Sequence, residues 1–185
     1  MTAMILTAAF AVPADAQQQP EETSPGPRYI VTDLGTLGGG FSNSFGLNER
    51  DQVGGGSTLP SGTMQAFLWS EGAGMQPLGT LHGGSNSSAS GPNPNGLVAI
   101  ISDSNVEDPY HENFCGFGTT SVCVAGFWEH GTLTELPGLV PLSNHGGNNS
   151  QITQTNNRGQ MAGYYRRLLT AAAWSGLGPA PESLS

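Results

Sequence analysis

The densest group of chemically capable side chains lies in one short stretch. Residues 103–112 read DSNVEDPYHE, which places Asp103, Asn105, Glu107, Asp108, His111 and Glu112 close together. Oxygen donors at such spacing are the kind that hold Ca²⁺. The order does not match a helix–loop–helix calcium loop, which needs a glycine at its sixth position and a glutamate at its twelfth. Asp103, Asn105, Glu107 and Asp108 are therefore weak metal candidates, and a solvated acidic loop is the plainer reading. Just beyond stand the two cysteines, Cys115 and Cys123. Two thiols with no second pair make a poor zinc signature. In an exported chain an even count favours a disulfide. A hairpin through the intervening GFGTTSV would bring the two Cα atoms within bridging range.

Nucleophilic catalysis needs a Ser or Cys beside a base, with an acid to orient the base. The histidines are His82, His111, His130 and His145, and no Gly-x-Ser-x-Gly elbow accompanies them. His82, His130 and His145 each precede a glycine and read as turn residues. No convergent acid–base pair emerges, so the chain reads as non-enzymatic and without a cofactor. Trp69, Trp128 and Trp174 form a recurring row. Such a row could stack on sugars, but an aromatic that recurs in register more often packs between repeated units. Asn86-Ser87-Ser88 and Asn148-Asn149-Ser150 have the glycosylation pattern and read here as turn residues.

The elements that must position these residues are repeated. Residues 33–39 read DLGTLGG, residues 78–84 read LGTLHGG, and residues 135–139 read ELPGL, a worn copy. About a dozen residues later a second phrase appears as LNERDQVGG, PNPNGLVAI and TNNRGQMAG, with Asn48, Asn93 and Asn156 in equivalent places. Asn there caps a turn through its own backbone. A third phrase carries the tryptophans: Ala66-Phe67-Leu68-Trp69, Ala125-Gly126-Phe127-Trp128 and Ala171-Ala172-Ala173-Trp174. Leu34 and Leu78 are 44 residues apart, and Trp128 and Trp174 are 46 apart. Leu78 and Leu136 are 58 apart, which leaves an insertion of about a dozen residues within 102–123.

Each phrase reads as strand or turn. Residues 29–34 (YIVTDL) carry β-branched and aromatic types, residues 44–48 and 52–57 flank a turn, and Asn95-Gly96 is a strong hairpin dipeptide. About four short strands in each unit match a propeller blade. The expected fold is all-β, a propeller-like repeat of four-stranded units in about three copies, and incomplete. The units fall at 29–77, 78–134 and 135–174.

The three phrases together resemble the HAF-repeat family of extracellular bacterial proteins. The family pattern is approximately DLGTLGG, then GINxxGQVVG, then HAFLW followed by GxMxDLG. The matching residues are 33–39, 46–55 and 65–69, with Gly74-Met75 and Leu78-Gly79, and Gln65 stands where the family has His. The resemblance spans residues 29–174, strongest in the first copy. It implies secretion and a repeat-built, propeller-like β structure, and no catalytic residues to carry over. The chain after Tyr165 departs from the pattern and reads as a truncated or frame-shifted end, with residues 175–185 a disordered tail.

Composition narrows the rest. Charged residues are 10% and apolar residues 36%, with 28 Gly and 13 Pro, which suits short strands and tight turns rather than helices. A net charge of −9 with five Lys and Arg offers no basic stripe for nucleic acid. No apolar run reaches membrane-span length. Residues 1–16 end in Ala14-Asp15-Ala16 after a short apolar run, the pattern of a signal peptide, and residues 17–28 read as a polar, Pro-rich linker. The expected function is a secreted binding or scaffold module whose unknown extracellular ligand, or further repeats, meets loops near the 102–123 insertion. The alternative is a fragment of a secreted hydrolase or carbohydrate-active protein.

Overall fold

The computed structural model describes residues 29–136 and 148–167. The signal segment, the linker, His145, Trp174 and the tail lie outside them. The chain divides into two units at Thr32 and Asp33. Of the first, residues 29–32 are described. Tyr29, Ile30 and Val31 are 84%, 93% and 93% exposed and belong to no strand. The strand expected over residues 29–34 is therefore absent. Its residue types suit a pleated sheet, but a strand persists only against a neighbour that takes up its N–H and C=O groups.

The second unit is all-β, with ten strands in three antiparallel sheets and no helix among the described residues. Sheet one is the meander β1 (Ser42–Leu47), β2 (Val53–Thr58), β3 (Met64–Ser70) and β4 (Gly74–Gly79). Sheet two repeats that order with β5 (Ser87–Ala89), β6 (Val98–Glu107), β7 (Ser121–Glu129) and β8 (Thr132–Glu135). Sheet three holds β9 (Asn148–Thr155) and β10 (Met161–Arg167). The first two sheets share a register. Val53 faces Trp69 and Val98 faces Trp128, while Trp69 faces Met75 and Trp128 faces Leu133.

The turns follow one design. Between β1 and β2, Asp51 N–H donates to the Asn48 carbonyl and Asp51 has φ +57°. Gly96 and Gly159 occupy the same place in the next two sheets, with φ +86° and +75°. Only one residue per turn is left-handed, so Asn95-Gly96 does not make the two-residue hairpin turn its sequence suggests. The reason is Asn93, whose Oδ1 accepts from the N–H groups of both Asn95 and Leu97 and pulls the loop into a longer form.

Cores form between sheets because alternate residues of a strand face opposite ways. Ala66, Leu68 and Leu78 of sheet one pack on Ala89, Val98 and Ile100 of sheet two, with Trp128 and Leu133 closing the edge. On the other side of sheet two, Ala99 and Ala125 meet Ile152 of sheet three. Sheet two thus lies between the others, and no closed propeller ring is present among the described residues. Close approach depends on glycine at two places. A Cβ at Gly54 would lie 2.0 Å from the Ser90 carbonyl oxygen, and one at Gly91 would lie 2.8 Å from the Gly46 Cα. The β1–β2 pair of sheet one can therefore meet the segment just after β5 backbone to backbone.

Candidate functional site

Three asparagine turns line up across the three sheets. Each Asn Oδ1 accepts two backbone N–H groups of its own loop: Arg50 and Gln52 on Asn48, Asn95 and Leu97 on Asn93, Arg158 and Gln160 on Asn156. The amide nitrogen then reaches the next sheet. Asn48 Nδ2 donates to the Asn93 carbonyl at 2.9 Å, and Asn93 Nδ2 donates to the Asn156 carbonyl at 3.0 Å. The result is a ladder of side chains running from sheet to sheet at one end of the stack.

A second link recurs at the start of each following sheet. Asn86 Oδ1 accepts from Met64 N–H and Ser87 Oγ from Ala66 N–H, both on β3. Asn149 Oδ1 accepts from Cys123 N–H and Ser150 Oγ from Ala125 N–H, both on β7. Asn86 and Ser87 are buried, so they are joint residues rather than turn residues, and Asn86 offers no room for a glycan. The signal was present in the sequence as a paired Asn-Ser six residues before the loop Asn.

Beside the ladder the first strands of sheets one and three, with the loop that follows the first strand of sheet two, border a groove of about 580 Å³. Phe45, Leu47 and Glu49 line it from sheet one, Pro92 and Pro94 from sheet two, and Thr153, Gln154, Thr155 and Asn157 from sheet three. Phe45 and Leu47 are largely exposed. Thr155 Oγ1 is buried with no hydrogen-bond partner among the described residues. Glu49 is the one titratable side chain on the lining.

The metal candidates separate. Asp103 is fully buried in β6, where Oδ1 accepts from Ser85 and Asn86 N–H at 2.7 Å each and Oδ2 accepts from Asn86 Nδ2 at 2.8 Å. Asp108 is also fully buried; its Oδ1 accepts from Tyr110 N–H and its Oδ2 from Asn149 Nδ2. Asn105 and Glu107 are exposed, and Glu107 faces His111 at 3.0 Å. Among the described residues no three His, Cys, Asp or Glu side chains are grouped to hold a metal.

The insertion is partly strand. It lengthens β6 and β7, and its loop crosses toward sheet three. Gln151 Nε2 donates to the Phe114 carbonyl, Arg166 pairs with Glu112, and the rings of Phe114 and Tyr164 lie 5.7 Å apart. Cys115 and Cys123 form a disulfide with Cα atoms 5.3 Å apart. It ties the loop to β7 and does not close a hairpin, because Gly116 and Gly118 take left-handed φ and Asn113 Oδ1 accepts from Gly118 N–H. The insertion is thus engaged within the protein, at the far end of sheet two from the groove.

Trp69 and Trp128 are both half-buried at matching strand positions. Trp128 packs at the joint with sheet one, whereas Trp69 points to the outer face of sheet one. His82 and His130 occupy left-handed turn positions, and His82 Nε2 lies 2.6 Å from Glu135 Oε2. No protein-family model, curated protein or solved structure matches the chain.

Proposed function

We propose that this chain is a secreted, propeller-like repeat module of the HAF type that binds or scaffolds without catalysing, and that the first-strand groove is its contact surface. The observation that carries this reading is the groove lining. It offers hydroxyl, amide and apolar groups and a single titratable one, Glu49, so it has binding chemistry without an acid–base pair. Such a surface suits an uncharged ligand rich in hydroxyl or amide groups, a glycan or an extended peptide. Matching registers and matching inter-sheet links support the repeat reading. The disulfide fits an exported chain.

Screening the full chain on glycan and peptide arrays, with product analysis on every hit, tests the proposal. Binding without product is expected, weakened at least tenfold by Phe45→Ser. Turnover that disappears in Glu49→Gln would overturn it. Export is checked by N-terminal sequencing of secreted protein, which should begin at Gln17; a mature chain retaining residues 1–16 would remove the signal-peptide reading.

A further inference from the structure

The loop asparagines fix which way the residue before each of them turns its main chain. Asn48 N–H donates to the Gln52 carbonyl, and Asn156 N–H donates to the Gln160 carbonyl. Main-chain groups alternate in direction along a strand, so the preceding residues, Leu47 of β1 and Thr155 of β9, turn theirs away from their own hairpins. Both strands lie at sheet edges, paired on one side only among the described residues. Leu47 and Thr155 also line the groove, so each offers it an N–H and a C=O. The equivalent residue of the middle sheet is Pro92, which lines the groove without an N–H.

Open strand edges favour one class of ligand. An extended peptide carries N–H and C=O together on one side at every second residue, the complement of such an edge. A sugar gains most from stacking on aromatic faces, and Phe45 is the one aromatic ring on the lining among the described residues. The two edges are unequal. β9 is eight residues long against six for β1, and it gives the groove the consecutive residues Thr153, Gln154 and Thr155. β1 is crowded at Gly46, where a Cβ would lie 3.1 Å from the Gly91 Cα. Charge adds a further preference. Glu49 is the one titratable group on the lining, in a chain of net charge −9. Arg50 and Arg158 stand on the neighbouring turns but not on the lining. A basic side chain in the groove is therefore attracted and an acidic one repelled.

Resting on the groove reading above, we propose that the ligand is an extended peptide bearing a Lys or Arg, which adds as a further strand to the open edge of β9. Its main chain bonds to the N–H and C=O of Thr155, and its basic side chain crosses the groove to Glu49.

The test uses the full chain. The probes are arrayed short peptides, acetylated and amidated at their ends, with oligosaccharides beside them. Peptides with a Lys or Arg among β-forming residues are expected to bind, and their Glu counterparts are not. N-methylation of a bound peptide at alternate residues removes its donors and should lower affinity about tenfold for each edge bond lost, while methylation at the intervening residues should not. Thr155→Pro removes the edge donor from the protein and should weaken binding by a similar factor. Pro92 already stands at the equivalent place in sheet two, so this exchange suits the local fold, and an unchanged melting temperature checks it. Where that temperature falls, the methylation scan decides alone. Glu49→Lys is expected to move the preference to Glu-bearing peptides. Peptide binding that is indifferent to N-methylation, or that shows no preference for Lys or Arg, would overturn the inference. Binding of oligosaccharides alone, weakened by Phe45→Ser, would overturn it and leave the groove as the contact surface. Binding that Phe45→Ser leaves unchanged would remove the groove reading and this inference with it.

Discussion

Asn93 does the most with one side chain. It is 4% exposed, holds two loop N–H groups and donates across to Asn156. Asn93→Ala leaves those buried groups without partners, and we expect a loss of about 1–3 kcal/mol in denaturant unfolding. Asn156→Ala, at an exposed turn with no following sheet among the described residues, should cost well under half as much. The recurrence of these asparagines and their bonds to their own loops were legible in the sequence. Their reach across sheets was not, because that bond exists only once the sheets stack. Asn86-Ser87 shows the same limit: the string SNSSAS has turn-like composition, and only packing buries it. Asp103 and Asp108 looked like oxygen ligands for the same reason, since spacing cannot reveal that N–H groups of the protein already engage both oxygens of each carboxylate. With both buried and hydrogen-bonded, excess EDTA should leave the melting temperature unchanged; a drop of several degrees would restore a bound cation.

Strands and loops followed the sequence where local pattern and partner agreed. β1, β2 and β3 lie within a few residues of their expected places because alternation and flanking turns both mark them. Residues 29–34 carry β-branched and aromatic types and form no strand, since composition supplies tendency and a neighbour supplies the hydrogen bonds. Gly54 in β2 is fixed by a neighbour of another kind. Gly54→Ala would drive a methyl into the Ser90 carbonyl and push sheets one and two apart, at about 1–3 kcal/mol or more. The disulfide acts on the loop of the insertion. With eight residues of sequence separation, loop-closure entropy puts its contribution at roughly 2–3 kcal/mol. The Cys115→Ser, Cys123→Ser double variant should unfold at correspondingly lower urea, and an unchanged midpoint would mean the loop is held by Asp108, Phe114 and Glu112 alone.

At the scale of the molecule, stability resides in the joints. Neither sheet one nor sheet two encloses a core of its own comparable to the cluster they share, so each depends on the next. The all-β class was readable from the short apolar phrases and their turns; the clamp from the insertion onto sheet three was not, because it joins residues far apart in sequence such as Asp108 and Asn149.

The position of sheet two, flanked on both faces, sets an order of events when the protein opens. Ile100, Val122 and Cys123 have no exposed surface, and β6 and β7 have neighbours on either side. Their amide protons should exchange with deuterium only through near-complete unfolding, while those of β1 and β10 exchange through fraying of the outer sheets. Deuterium uptake should therefore run inward from both flanks, and β6 and β7 would be the last segments to lose their protons.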